Sequence, residues 1–249
     1  MRLRFLTPSP VIFSYQTLRS LFATFPEDVK VNVMVGNANA DYVVGKRIVA
    51  AVGAQNAQRI HAWPTSVLTA NFLATHLQPS RRGGWNTVRS LRSYRGHKGL
   101  LLMEDDIAWT REAMIPFNRD AAAESLTAFS LYNFHCYGIG PFTSEKTRAS
   151  LANAEVATSP LILAVVDNSQ FEFHAMQAVL YAPDIPGPPG RYTQRRMHLE
   201  HHDNVVGMFF RDHQTLIGYT FPSLVQHLGI RSAYGSAAFH QSECFRESL

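Results

Sequence analysis

This sequence predicts a single α/β domain, with a mostly parallel central sheet and helices on both faces, and three observations predict it. The first 35 residues read strand, helix, strand, which is how a parallel sheet opens. Two short runs, Leu100 to Met103 and Leu161 to Val166, are apolar throughout, as strands buried on both faces are. The length of 249 residues fits one large α/β domain or two small ones.

Each element follows from local pattern. Leu3 to Thr7 reads as a strand stopped by Pro8-Ser9-Pro10. Leu18, Leu21 and Phe22 recur at helical spacing within Tyr15 to Thr24, and Pro26 ends that helix. Val29, Val31, Val33 and Val35 alternate as in a strand, closed by a turn over Gly36 to Asn39. Helix is expected over Asp41 to Ala57, a short strand over Arg59 to Ala62, and helix over Thr65 to His76. Pro79 to Asn86 is a basic, glycine-containing loop, and Thr87 to Tyr94 a helix leading into the Leu100 strand. Helix is expected between Trp109 and Glu124, and strand character over Ala128 to Cys136, Leu161 to Val166 and Ala178 to Tyr181. Pro183 to Gly190 is the one clear breaker tract, and its proline and glycine density argues against both helix and central strand. An apolar run from Val205 to Phe210 and the segment Phe221 to Gly229 complete the pattern.

Composition sets the outer bounds. The chain is 46% hydrophobic and 17% charged, with a formal charge of +4. That balance suits an anionic ligand but is too mild to establish nucleic-acid binding. Cys136 and Cys244 form no CxxC pair and no disulfide framework, so a reducing cytoplasm is the expected setting. No apolar run reaches the length of a membrane span and the N-terminus has no signal-peptide core; a peripheral visit to a membrane is left open.

The chemistry concentrates at the end of the central strand, where Leu100 to Met103 runs straight into Glu104-Asp105-Asp106. Three adjacent carboxylates repel one another and cost desolvation. A divalent cation relieves both, and hard oxygen ligands suit Mg²⁺ or Mn²⁺ shared with a substrate phosphate. In open α/β sheets the carboxyl ends of strands are where ligands bind. The competing reading is a solvated acidic turn. Upstream, Asn86 and Arg89 share one helical face, while Arg81, Arg82 and Arg92 fit a solvated basic face. His198, His201 and His202 lack a second ligand pair of zinc-site spacing. Trp85, Trp109 and Tyr192 could stack on a sugar or base, although core packing is the commoner fate of aromatics. No P-loop, nucleophile elbow or dinucleotide fingerprint is present.

Three motifs resemble the nucleotide-sugar glycosyltransferases of the GT-A type. Leu101 to Asp106 looks like that family's Asp-x-Asp metal motif in a Glu-Asp-Asp form. Glu200 to Asp203, followed by Asn204-Val205-Val206-Gly207, looks like the acceptor-side acid on its helix. Pro222 to Gly229 is similar to the C-terminal segment that supplies a metal-binding histidine. The resemblance implies a GT-A, Rossmann-like domain in which residues 1–110 bind the donor and 111–249 bind the acceptor and hold the catalytic residues. It implies Asp106 and His227 as ligands of Mn²⁺ or Mg²⁺, with Glu104 facing the ribose or the ion's water shell and Asp105 close by. Thr7, Pro8, Asn86 and Arg89 would line the nucleotide and phosphate pocket, for which a UDP-sugar is the favoured donor. Asp203 would be the general base of an inverting transfer, with Glu200 its rival and Asp184 a weaker third. Asp203 is equally well placed to cap a helix. The acceptor would be a glycan, a lipid-linked saccharide or a hydroxylated DNA base. Two other readings stand beside this one: a metal-dependent phosphoesterase or nuclease drawing on Asp167 as a further acid, and a non-catalytic basic module that grips nucleic acid.

Overall fold

A computed structural model describes residues 2–7, 12–24, 30–35, 52–64, 84–94, 100–104, 106–109, 128–130, 162–167, 177–182, 185, 187–214, 216–221 and 223–228. The turn at 36–39, the first part of the helix expected over 41–57, and the helices expected over 65–76 and 110–124 lie outside these residues.

Ten strands and four longer helices are described: β1 (Arg2–Thr7), α1 (Ile12–Thr24), β2 (Lys30–Val35), β3 (Ile60–Pro64), α2 (Gly84–Ser93), β4 (Leu100–Glu104), β5 (Ile107–Trp109), β6 (Ala128–Ser130), β7 (Ile162–Asp167), β8 (Ala178–Tyr181), α3 (Gly187–Arg196), α4 (His202–Asp212), β9 (Leu216–Phe221) and β10 (Val225–His227). Residues 52–57 add a short helical stretch before β3. Eight strands form one sheet in the order β3-β2-β1-β4-β8-β6-β9-β7, and β5 pairs with β10 in a small ribbon. The sheet is mixed. β3, β2, β1 and β4 form a parallel block, while β7 and β8 run against the strands beside them.

Strand order fixes where a ligand can sit. The chain steps outward from β1 to β2 to β3, then returns across β1 to lay down β4. Right-handed crossovers therefore place α1 and α2 on opposite faces of the sheet. The carboxyl ends of β1 and β4 flank the resulting switch point, the crevice where open α/β sheets bind ligands. Leu6 lies beside Glu104 in the parallel register, so Thr7 and Glu104 both reach that edge.

Burial follows the hydrophobic pattern. Leu100, Leu101, Leu102 and Met103 are completely buried, as a two-face-buried strand requires. α2, α3 and α4 pack against one another. Gly190 on α3 lets that helix approach α2 closely: a Cβ there would lie 2.8 Å from Leu91 Cβ and 3.1 Å from the Arg92 backbone nitrogen. Any larger residue would have to push the two helices apart.

Two expectations need correction. The breaker tract does not exclude a helix, because α3 begins inside it and Gly187-Pro188-Pro189-Gly190 forms its first turn. The first N–H groups of a helix have no intrahelical acceptor, so prolines there sacrifice nothing and arrive with a helical φ. The basic loop also ends earlier than expected, since α2 takes in Gly84, Trp85 and Asn86. Immediately after Asp106 the chain forms β5, which includes Trp109.

Candidate metal and acceptor-side centre

Glu104 ends β4, a bend at Asp106 follows, and β5 starts at Ile107. His227 ends β10 directly opposite Ile107 in the antiparallel register. The fold thus closes a separation of 227 − 106 = 121 residues. His227 Nε2 lies 3.0 Å from Asp106 Oδ2. One ligand atom each from Glu104, Asp106 and His227 falls within 4.8 Å of the others, the one such group among the described residues. His227 is buried, while Glu104 and Asp106 are half-buried. Two carboxylates and an imidazole are a donor set suited to a divalent ion, and the imidazole favours Mn²⁺ over Mg²⁺. An ion held at about 2.1 Å sets neighbouring ligands about 3 Å apart, within reach of this cluster after small side-chain shifts.

Backbone hydrogen bonds fix the cluster. Leu228 N–H donates to the Asp106 carbonyl at 2.6 Å, and Glu104 N–H donates to the Gln177 carbonyl at 2.9 Å. Gln177 is buried directly ahead of β8, and its side-chain oxygen has no hydrogen-bond partner among the described residues. No local pattern singles out Gln177, because only the antiparallel pairing of β4 with β8 brings it beside Glu104.

α4 brings the second set of acids to the same edge. β9, which follows α4, runs in the direction of β4 by way of the β8, β6 and β9 pairings. The N-terminus of α4 therefore lies at the carboxyl edge of the sheet, as does the N-terminus of α2. The two N-termini touch: a Cβ on Gly84 would lie 2.7 Å from His202 Cβ. Asp203 is in the first turn of α4 rather than at its cap, which is His201 and makes no side-chain cap bond. Asp203 Oδ1 accepts the Asn204 N–H at 2.9 Å, and Glu200 Oε1 accepts the His201 N–H at 3.1 Å.

The remaining candidates fall as follows. Thr7 ends β1 at the carboxyl edge. Asn86 is buried and Arg89 half-buried in α2. Pro8, Asp105, Asp184, Arg81 and Arg82 lie outside the described residues. Arg92 is exposed and donates to Gln194 of α3. Trp109 is buried in β5. Tyr192 packs edge-on against Phe209 with Arg196 over its ring, so both aromatics serve packing. His198, His201 and His202 do not gather with other ligands among the described residues. Asp167 ends β7, four strand spacings of about 4.8 Å from β4, roughly 19 Å away. β7 also runs against β9, which sends Asp167 to the opposite edge of the sheet and removes it as a further acid of this cluster.

His202 has a consequence for pH. Burial holds its imidazole below the usual range; Asp203 pulls the other way, and His201 adds to the lowering. A histidine kept neutral in the fold charges more readily when unfolded, so its contribution is fully present above the unfolded pKa of about 6.5 and is lost as pH falls below that. The melting temperature is expected to drop between pH 7 and pH 5, and His202→Gln to flatten that slope. Melting curves across this range check it; an unchanged slope in the variant would assign the acid sensitivity elsewhere.

The carboxylate–imidazole cluster thus sits at the switch point of a mixed α/β sheet. Comparison with solved structures narrows the fold to that of GT-A glycosyltransferases. The WbbM bifunctional glycosyltransferase matches with a TM-score of 0.52 at 8% identity, over 84% of this chain and 36% of that one. S. aureus TarS 1–349 matches with a TM-score of 0.50 at 12% identity, over 88% of this chain and 58% of that one. The chain thus spans little more than a third of the first protein's length and under three-fifths of the second's. At these identities the likeness is one of fold. No family model matches the chain, and no curated protein matches it in sequence. Among the described residues no helix is long and apolar enough to cross a membrane.

Proposed function

We propose that this chain is a metal-dependent glycosyltransferase, moving a sugar from a nucleoside-diphosphate donor to an acceptor hydroxyl with inversion. The observation that carries the reading is the convergence of Glu104, Asp106 and His227 within 4.8 Å at the switch point of a GT-A sheet.

Asp106 and His227 would hold Mn²⁺ or Mg²⁺, with Glu104 beside them and Asp105 adjacent in sequence. A bound divalent ion there supplies charge neutralisation to the donor diphosphate. The chain's own residues do the rest. We assign Thr7, Pro8, Asn86 and Arg89 to nucleotide and phosphate binding, for which arginine's fork suits phosphate oxygens. We assign residues 1–110 to donor binding and 111–249 to acceptor binding and catalysis. Asp203 takes the proton from the acceptor hydroxyl as its oxygen attacks the anomeric carbon, while the bond from that carbon to the diphosphate oxygen breaks. Glu200, one residue ahead of the His201 cap, is the alternative base. A UDP-sugar is the favoured donor, and a glycan or lipid-linked saccharide the favoured acceptor.

A panel of UDP-, GDP- and CMP-sugars tests this. With Mn²⁺, a UDP-sugar is expected to release its nucleotide, and EDTA to stop the release. Turnover of no sugar in the panel, or equal turnover in EDTA, would overturn the proposal.

A further inference from the structure

We infer that Thr17 and Ser20 of α1 are positioning residues that set the geometry of the metal ligands. The inference rests on reading Glu104, Asp106 and His227 as a metal site. β5 is three residues long and pairs with a strand of the same length. A two-stranded ribbon of that size is marginal alone, yet it carries both Asp106, just ahead of β5, and His227.

The missing support comes from α1. Residues of an antiparallel strand face their partner and face away in turn. The N–H groups of Ile107 and Trp109 find acceptors on α1: Ile107 N–H donates to Thr17 Oγ1 at 3.0 Å, and Trp109 N–H to Ser20 Oγ at 3.1 Å. Ser20 Oγ is itself oriented, because it donates to the Thr17 carbonyl at 3.0 Å. The spacings agree: side chains three apart on a helix are about 5–6 Å apart, and alternate residues of a strand about 6.6 Å. Thr17 is completely buried. Asp106 is therefore clamped from two sides, by Leu228 N–H on its own carbonyl and by Thr17 on the next amide.

Removing either hydroxyl orphans an amide that the strand can rescue only by shifting. Metal sites tolerate shifts of about 0.2 Å, and loss of supporting groups behind ligands typically lowers metal affinity about 10- to 100-fold. The test is titration of the purified protein with Mn²⁺ alone, with free ion read by electron paramagnetic resonance and folding checked by circular dichroism. Ser20→Ala and Thr17→Val are expected to fold and to bind Mn²⁺ about tenfold more weakly. Thr17→Ser, which keeps the oxygen, is expected to stay within about twofold of the wild type. Folded variants binding as tightly as the wild type would overturn the inference and leave the metal site standing. A wild type that binds no Mn²⁺ would overturn the metal reading and this inference together. Should Thr17→Val fail to fold, Ser20→Ala decides the question.

Discussion

Asp106→Asn is expected to lower metal-dependent sugar transfer by about 10³-fold or more while the protein stays folded. A metal ion contributes several kcal/mol at a developing anionic centre, and about 4 kcal/mol corresponds to about 10³ in rate. The fold should survive because the structural duty at this position belongs to the backbone: the Asp106 carbonyl accepts from Leu228 N–H. The side chain faces His227 Nε2 and is partly exposed. Asparagine keeps its shape and an acceptor oxygen, and loses only the charge. A second effect has the opposite sign. Glu104 and Asp106 repel one another without a cation, so the metal-free variant should melt no lower than the metal-free wild type. Its Mn²⁺-induced rise in melting temperature, which grows as RT ln(1 + [L]/Kd), should vanish. Calorimetric Mn²⁺ titration and the rate of nucleotide release read the two effects separately. A wild-type rate would remove Asp106 from the chemistry, and an unfolded variant would make it a structural residue.

The sequence made the parallel half of the sheet plain because its signals are local. Alternating valines, a helical stripe and a wholly apolar run each declare their element within a few residues, and β1, α1, β2 and β4 fall where those patterns put them. The acidic strand end was legible for the same reason. The contacts that turn it into a site were not. Local pattern does not join His227 to Asp106: the resemblance alone pairs them, and the β10–β5 pairing brings them together, while Thr17 meets Ile107 across 90 residues. Gln177 reaches Glu104 through a strand pairing that periodicity does not specify. Gly187 to Gly190 depart from expectation for a different reason. Proline density argues against a helix only at interior positions, whereas the first turn accepts it. His202 is one of three histidines that lack a second ligand pair of zinc-site spacing, and only its packing against Gly84 shows that it joins two helix N-termini.

Asp203→Asn is the second large effect: kcat is expected to fall about 10²- to 10⁴-fold, the usual contribution of a positioned general base, with nucleotide and Mn²⁺ affinity within about twofold of the wild type. The local structure favours a clean experiment. Asp203 Oδ1 accepts the Asn204 N–H, a bond that asparagine can keep through its own oxygen. The helix is capped from His201 rather than from Asp203, so the substitution does not remove a cap. Glu200→Gln separates the rivals. If Asp203 is the base, the glutamine variant loses far less in kcat than Asp203→Asn; if Glu200 is the base, the order reverses. Equal and small losses in both would place the base on another element, and loss of nucleotide binding in Asp203→Asn would make that residue a support of α4 rather than the group that takes the proton.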